Sequence, residues 1–349
     1  MRVLVALLAH ADMSDPFFSR IRPPLRSEDY DVWFGTNRQP LSSRNGFSAE
    51  RDSVVHLGRC CVSIPSSHKI GSLGSPWWKR ILGGDDRLRV VGTEEIDELF
   101  YWRLLAEGLK ATLVNERDAV IFLHGFNVSF DEAAFRAPQL GFDLGISGLM
   151  AFYSWPSKGE LDGYMADEAS IEASEGFITD YLISMATKSG ASRVHIIAHS
   201  MGNRALLRVM DRIASTAAER AQKPFNQIIL AAADVDQDTF RRLSVAYQHV
   251  AQRTTMYVCA KDRAVEASHW LYDYPRTGLA PPVLVVPGID TINVSNLDLT
   301  GLAHGYVAEA RDVLQDMYRL LRDGAPPEER FGLRRETTSD GQMYWAVGR

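Results

Sequence analysis

Residues 196–207 read IIAHSMGNRALL. An apolar run stops at His199, Ser200 follows, and a helical pattern begins just past Gly202. A serine hydroxyl is a nucleophile only when a base takes its proton and fixed donors meet the charge that develops on the substrate. Lifting that hydroxyl clear of a sheet demands a sharp strand-to-helix turn. The residues two before and two after must then be small, and here they are Ala198 and Gly202. This is the G-x-S-x-G nucleophile elbow with Ala at its first position. The helix that starts beside Ser200 adds backbone N–H groups aimed at negative charge. The plainer role for a serine at this place is a helix N-cap.

A nucleophile of this kind needs a base, and the base needs an orienting acid. Behind such an elbow the chain order is serine, then Asp or Glu, then His. Of nine histidines, His10, His56, His68, His124, His195 and His199 precede the serine, and His195 sits inside a strand pattern. His249 ends a helical segment and His269 lies on another. His304, in LTGLAHGYV between the last strand and the last helix, is the expected base. Asp262, after TMYVCAK, is the expected acid; Asp234, one strand earlier, is the alternative, with Asp236 behind it. Each of these aspartates also suits a helix N-cap.

The oxyanion needs two backbone donors. One is expected from Met201. The other is expected from the HGFN loop, through the Phe126 N–H, with Asn127 next in line and Gly125 allowing close approach. His124 is expected to brace that loop, with a second functional histidine as the alternative. Phe126, Trp155 and Met201 make an apolar wall suited to an acyl chain or an aromatic acid, and Trp155 equally suits a plug in the rim of the core. The segment SKGELDGYMADEAS (157–170) reads as a small cap rather than a large lid.

These residues must be held by a sheet. From residue 118, apolar runs at 119–123, 148–155, 194–198, 227–232, 255–260 and 282–286 alternate with helical patterns. The helices are expected at about 130–145, 164–188, 202–220, 237–249, 264–271 and 307–323. Strands apolar on both faces and separated by helices imply a parallel sheet covered on both sides. Before residue 118, DVWFGTNRQP and SVVHLGRCCVSIP read as strands, and GSLGSPWWKRILGGDD as a loop. A strand and a helix follow, with Ile96, Leu99, Phe100, Leu104 and Leu105 on one helical face. The expected division is 1–117 as N-terminal strands and helix, 118–323 as catalytic core, and 324–349 as a polar, loosely packed tail.

The bulk composition excludes several classes. The chain has 349 residues, 46% hydrophobic and 23% charged, which is ordinary for a globular protein. A net charge of −6 without a basic stripe argues against nucleic acid as partner. Three cysteines, two of them adjacent, fit a reducing compartment and no disulfide framework. No Cys/His spacing suggests zinc. The N-terminal VLVALLAHA is about half the length of a signal peptide and reads as a strand or a ragged start. No apolar stretch approaches the roughly 20 residues of a bilayer span. A cytoplasmic location without stable membrane insertion is therefore expected; the oligomeric state is left open.

Together, HGFN after one strand, YSWPS after the next, AHSMGN after the third and a late HGY resemble the α/β-hydrolase superfamily. They also resemble a bacterial branch of that superfamily, described as esterase/lipase-like hydrolases of poorly defined function. GTNR at 35–38 and HLGRCCVSIP at 56–65 resemble that branch's N-terminal strands. The resemblance implies a serine ester hydrolase of the carboxylesterase type, acting on a small-molecule ester without a metal or organic cofactor. Short- to medium-chain or aromatic acyl esters are expected. The alternatives are a lipase or phospholipase, a thioesterase, and a catalytically idle binding module.

Overall fold

The computed structural model describes residues 28–42, 46–71, 88–160, 162–217, 223–260, 273–295 and 310–347. The N-terminal apolar run, most of the 71–86 loop and the expected helix at 264–271 lie outside them.

Among the described residues, eleven strands form one sheet: β1 (Glu28–Pro40), β2 (Phe47–Ile64), β3 (Arg89–Glu95), β4 (Asp118–Leu123), β5 (Leu149–Ser154), β6 (Arg193–His199), β7 (Phe225–Ala231), β8 (Ala251–Val258), β9 (Asp290–Asn293), β10 (Leu333–Thr337) and β11 (Met343–Val347). Their spatial order is β10-β11-β9-β8-β7-β6-β4-β5-β1-β2-β3. Pairing is parallel from β11 through to β1, while β2, β3 and β10 join antiparallel to their neighbours. The fold is thus an α/β-hydrolase-like, mostly parallel sheet with extra N-terminal strands.

The central strands are buried at nearly every position because both faces are covered, and most of those positions are apolar. Side chains alternate between the faces. On β4, Ala119, Ile121 and Leu123 enter one core, and Val120 and Phe122 enter the other. The first core is closed by α1 (Glu98–Lys110), α4 (Glu175–Lys188) and α5 (Gly202–Ala217). The second is closed by α2 (Phe130–Asp143) and α8 (Arg311–Asp323). Between these lie α3 (Tyr164–Ala173), α6 (Gln237–Leu243) and α7 (Val245–Val250). A capping box at Ser129 and Glu132 fixes the start of α2.

Four sequence expectations need correction. On α1, Leu99 and Phe100 are 72% and 51% exposed, and the buried face is Tyr101, Trp102, Leu105 and Leu109. The aromatic pair wins because it buries more surface and because the Tyr101 hydroxyl meets that of Tyr181 at 3.1 Å. The pattern at 164–188 is two helices, α3 and α4. They break at Ser174, whose hydroxyl donates back to Ser170 O and accepts from Asn37 Nδ2. The pattern at 237–249 is likewise two helices, α6 and α7, parted at Ser244. The apolar run at 282–286 is no strand: Leu284 and Val286 pack into the core, but Pro281, Pro282 and Pro287 supply no N–H to a ladder, and pairing resumes only at β9.

The tail beyond Gly324 is also packed, against expectation. It forms the β10–β11 hairpin, and β11 joins β9. Trp345, Ala346 and Val347 are buried, and Arg330 Nη1 reaches Asp316 on α8 at 3.0 Å in the interior. Two buried anchors outweigh the polar composition of the segment.

Candidate active site

The chain runs from β4 to β5 on one side, then returns to place β6 on the other side of β4. Such a reversal opens a crevice beyond the carboxyl ends of the two strands, the usual ligand position in sheets of this kind. Ser200 follows β6 and the 124–128 loop follows β4, so both meet at that crevice.

Ser200 has φ 52°, the left-handed region that a non-glycine residue enters only at a cost. The turn is held from several directions. Ser200 N–H donates to Ala231 O on β7 at 2.9 Å, and Asp234 N–H donates to Ser200 O at 3.2 Å. The side-chain amide of Asn203 donates to Ala198 O, Ser200 O and Ala231 O at 3.1–3.2 Å. The side chain itself is buried to 5% exposure, with the start of α5 immediately behind it.

Close packing explains the small residues. A Cβ on Gly202 would stand 2.6 Å from His124 O, and one on Gly125 would stand 2.7 Å from Ser200 Cβ. The elbow and the β4 loop therefore touch backbone to backbone. Ala198 is fully buried inside β6, where a methyl group fits.

The β4 loop has its own supports. Asn127 has φ 55°, tolerable for asparagine, and its N–H donates to Asp167 Oδ2 at 3.2 Å. Val128 N–H donates to Ser157 Oγ at 3.1 Å, and Val128 O accepts from Arg38 Nη2 at 2.8 Å. The N–H groups of Phe126 and Met201 have no backbone acceptor among the described residues.

The sequence of residues 105–322 matches the family described as "Alpha/beta hydrolase of unknown function (DUF900)". The chain belongs to this family. Among solved structures, this α/β-hydrolase chain is similar to a predicted CIB-like hydrolase from Thermoplasma acidophilum, with 16% identity, 60% of this chain and 87% of that one covered, and a TM-score of 0.37. It is also similar to an uncharacterized protein from Bacillus cereus ATCC 10987, with 12% identity, coverage of 61% and 62%, and a TM-score of 0.39. No curated protein matches it.

Of the residues singled out in this α/β-hydrolase sequence, Ser200, Met201, Gly125, Phe126 and Asn127 are brought together. His304 and Asp262 lie outside the described residues. Asp234, the alternative acid, is buried and its carboxylate accepts from the Tyr164 hydroxyl at 2.5 Å, with Arg204 and Arg276 each at 3.5 Å. Asp236 caps α6 by accepting from Thr239 N–H. His249 is exposed in the last turn of α7, and His195 is enclosed in β6.

His124 and Trp155 stand behind the loop. Their rings stack at 4.9 Å, and Trp155 Nε1 donates to His124 O at 2.9 Å. Trp155 is fully buried. Arg38 Nε donates to Ser154 Oγ at 2.9 Å, which lies 3.2 Å from His124 Nε2, and His124 Nδ1 lies 2.9 Å from Gly125 O. A single tautomer satisfies this chain: Nδ1 donates to the carbonyl and Nε2 accepts from the hydroxyl. Burial, with the Arg38 charge acting the same way, pulls the His124 pKa down to about 3, so the ring stays neutral. Burial also lowers Arg38, to about 9, against the opposing charge of Asp167, and it remains a cation at neutral pH.

Sequence reasoning missed Asn203, Arg38, Ser154 and Asp167. Asn203 and Arg38 each sat in a quoted motif, AHSMGN and GTNR, without an assigned job. Asp167 lay inside the expected cap, where nothing in the sequence tied it to a loop 40 residues earlier. Among the described residues no group of three or more His, Cys, Asp or Glu is placed to hold a metal, and no helix is long and apolar enough to cross a membrane.

Proposed function

We propose that the protein is a serine ester hydrolase of the carboxylesterase type, acting through Ser200, His304 and Asp262. His304 takes the hydroxyl proton as Ser200 Oγ attacks the acyl carbonyl. Asp262 holds His304 in the productive tautomer and stabilises its imidazolium. The Met201 and Phe126 N–H groups receive the oxyanion. His304 then returns its proton to the leaving alcohol, and water activated by the same imidazole cleaves the acyl-enzyme.

The observation that carries this reading is the left-handed backbone of Ser200 at the sheet's crevice, with residue 125 reduced to glycine against it. A mere N-cap has no need of that strain. Two further features support the assignments. The Asn127 and Val128 N–H groups are already engaged, which favours Phe126 as the loop's donor. The Asp234 carboxylate is occupied by Tyr164 and two arginines, which favours Asp262 as the acid. Phe126, 5.1 Å from the Tyr164 ring, would meet the acyl group, and the single short helix α3 above it suits short- to medium-chain esters.

The test is hydrolysis of a p-nitrophenyl ester by the wild-type chain and by Ser200→Ala. The variant should lose on the order of 10³-fold or more in kcat/KM. A variant as active as the wild type would remove the proposal.

A further inference from the structure

Asp167 is fully buried on the first turn of α3, yet its carboxylate accepts from the chain around the β4 loop. Its Oδ2 accepts from Asn127 N–H at 3.2 Å and from the Ser157 hydroxyl at 2.5 Å. Its Oδ1 accepts from Lys158 N–H at 2.6 Å. Ser157 Oγ in turn accepts from Val128 N–H, and Arg38 closes the assembly by donating to Val128 O and to Ser157 O at 2.8 and 3.0 Å. A carboxylate taken from water is tolerated only when its lone pairs are filled and a counter-charge is near. Here three donors fill it, and the equally buried Arg38 supplies the charge.

The geometry has a direct consequence for the crevice. Asn127 stands at φ 55°, so the peptide before it is turned by a residue that needs an external hold. Asp167 provides that hold through the Asn127 N–H. The adjoining Phe126 N–H is left without a backbone acceptor among the described residues, one residue from the Gly125 that packs on Ser200.

We propose that Asp167 is a positioning residue for the hydrolysis: by clamping the Asn127 amide and Ser157 it fixes the 125–128 loop with the Phe126 N–H ready for the oxyanion. The inference rests on the hydrolase reading for its catalytic consequence, but its structural half does not.

Asp167→Asn is the sharpest variant. An amide keeps one acceptor oxygen and turns the other into a donor, so at least one of the three donors around it faces an N–H. Ser157→Ala is the milder companion, should the first fold poorly. Glu172→Gln, exposed on the same helix and paired with Arg208, is the control for a general disturbance of α3. Two readouts apply to the full chain. Hydrogen exchange across residues 124–128 should accelerate about tenfold or more in Asp167→Asn, less in Ser157→Ala, and not in Glu172→Gln. The rate of fluorophosphonate labelling and kcat for p-nitrophenyl butyrate should fall about tenfold or more in Asp167→Asn, with KM changed less than about threefold. Unchanged exchange in both loop variants overturns the inference whatever the activity. Faster exchange with wild-type labelling and kcat overturns its catalytic half. A wild-type chain that neither labels nor turns over overturns the hydrolase reading instead, and the exchange comparison then still decides whether Asp167 holds the loop.

Discussion

At Gly125 and Gly202 the absence of a side chain is a structural requirement. A methyl group at 125 would press on Ser200 Cβ at 2.7 Å, and one at 202 on His124 O at 2.6 Å. Neither obstacle is the far end of a flexible side chain, so the elbow or the loop must shift. Gly202→Ala should destabilise the fold by about 1–3 kcal/mol, the usual cost of overpacking, as read from denaturant unfolding. Gly125→Ala should do the same and, on the proposed function, also lower kcat for a p-nitrophenyl ester, because it moves Ser200 relative to the loop; full activity in a destabilised Gly125→Ala protein would contradict that coupling. The elbow was legible from five residues because its steric rule is local. Asn203 was not: its three carbonyl partners include Ala231, brought near only when β6 and β7 pair. The bracing role of His124 was expected, but its partner Ser154 and the Arg38 behind it come from distant parts of the chain.

Among the elements, those built on strict periodicity were readable and those built on single anchors were not. β4 through β8 announce themselves as largely apolar runs, because a strand covered on both faces has few polar positions to spare. The terminal hairpin depends instead on Arg330 and Asp316. Asp316 also accepts from the Tyr257 hydroxyl at 2.6 Å, while its Oδ1 and the Arg330 Nε and Nη2 have no hydrogen-bond partner among the described residues. Arg330→Met alone should therefore cost about 3–5 kcal/mol by stranding a buried carboxylate, whereas Arg330→Met with Asp316→Leu should recover most of it. Chemical denaturation of the single and double variants checks this, and equal losses in both would refute it. At the other end of the sheet, His56 on β2 sits between Glu95 at 2.6 Å and Asp52 at 3.1 Å. Burial acts to lower its pKa, but the bonds to Glu95 and Asp52 outweigh it and raise the pKa above the ordinary value. A raised folded pKa gives stability that is complete below the unfolded value, about 6.5, and disappears as pH rises through the folded one. His56→Leu should thus lower Tm more at about pH 5 than at about pH 9. A larger loss at the alkaline end would reverse the sign and reject the assignment.

For the molecule as a whole, the decisive feature is the reversal of strand order around β4. It brings the loop after β4 and the elbow after β6 to one crevice, although about 75 residues separate them, and the sheet makes that link at the β4–β6 pairing. Strand order itself could not be read from runs of apolar residues, since the same runs suit several orders. The short helix α3 over the crevice, with no larger insertion among the described residues between β5 and β6, predicts a preference for soluble esters. In a p-nitrophenyl ester series, kcat/KM should peak at short to medium acyl chains, and a maximum on long-chain emulsions would contradict the proposed substrate class.

The central claim is that Ser200 is an activated nucleophile. Incubating the full chain with a fluorophosphonate and mapping the adduct by mass spectrometry tests it most directly. The account predicts one adduct, on Ser200, absent from Ser200→Ala and formed far more slowly in His304→Ala. An unlabelled wild-type protein, or an adduct on another residue that persists in Ser200→Ala, would contradict it.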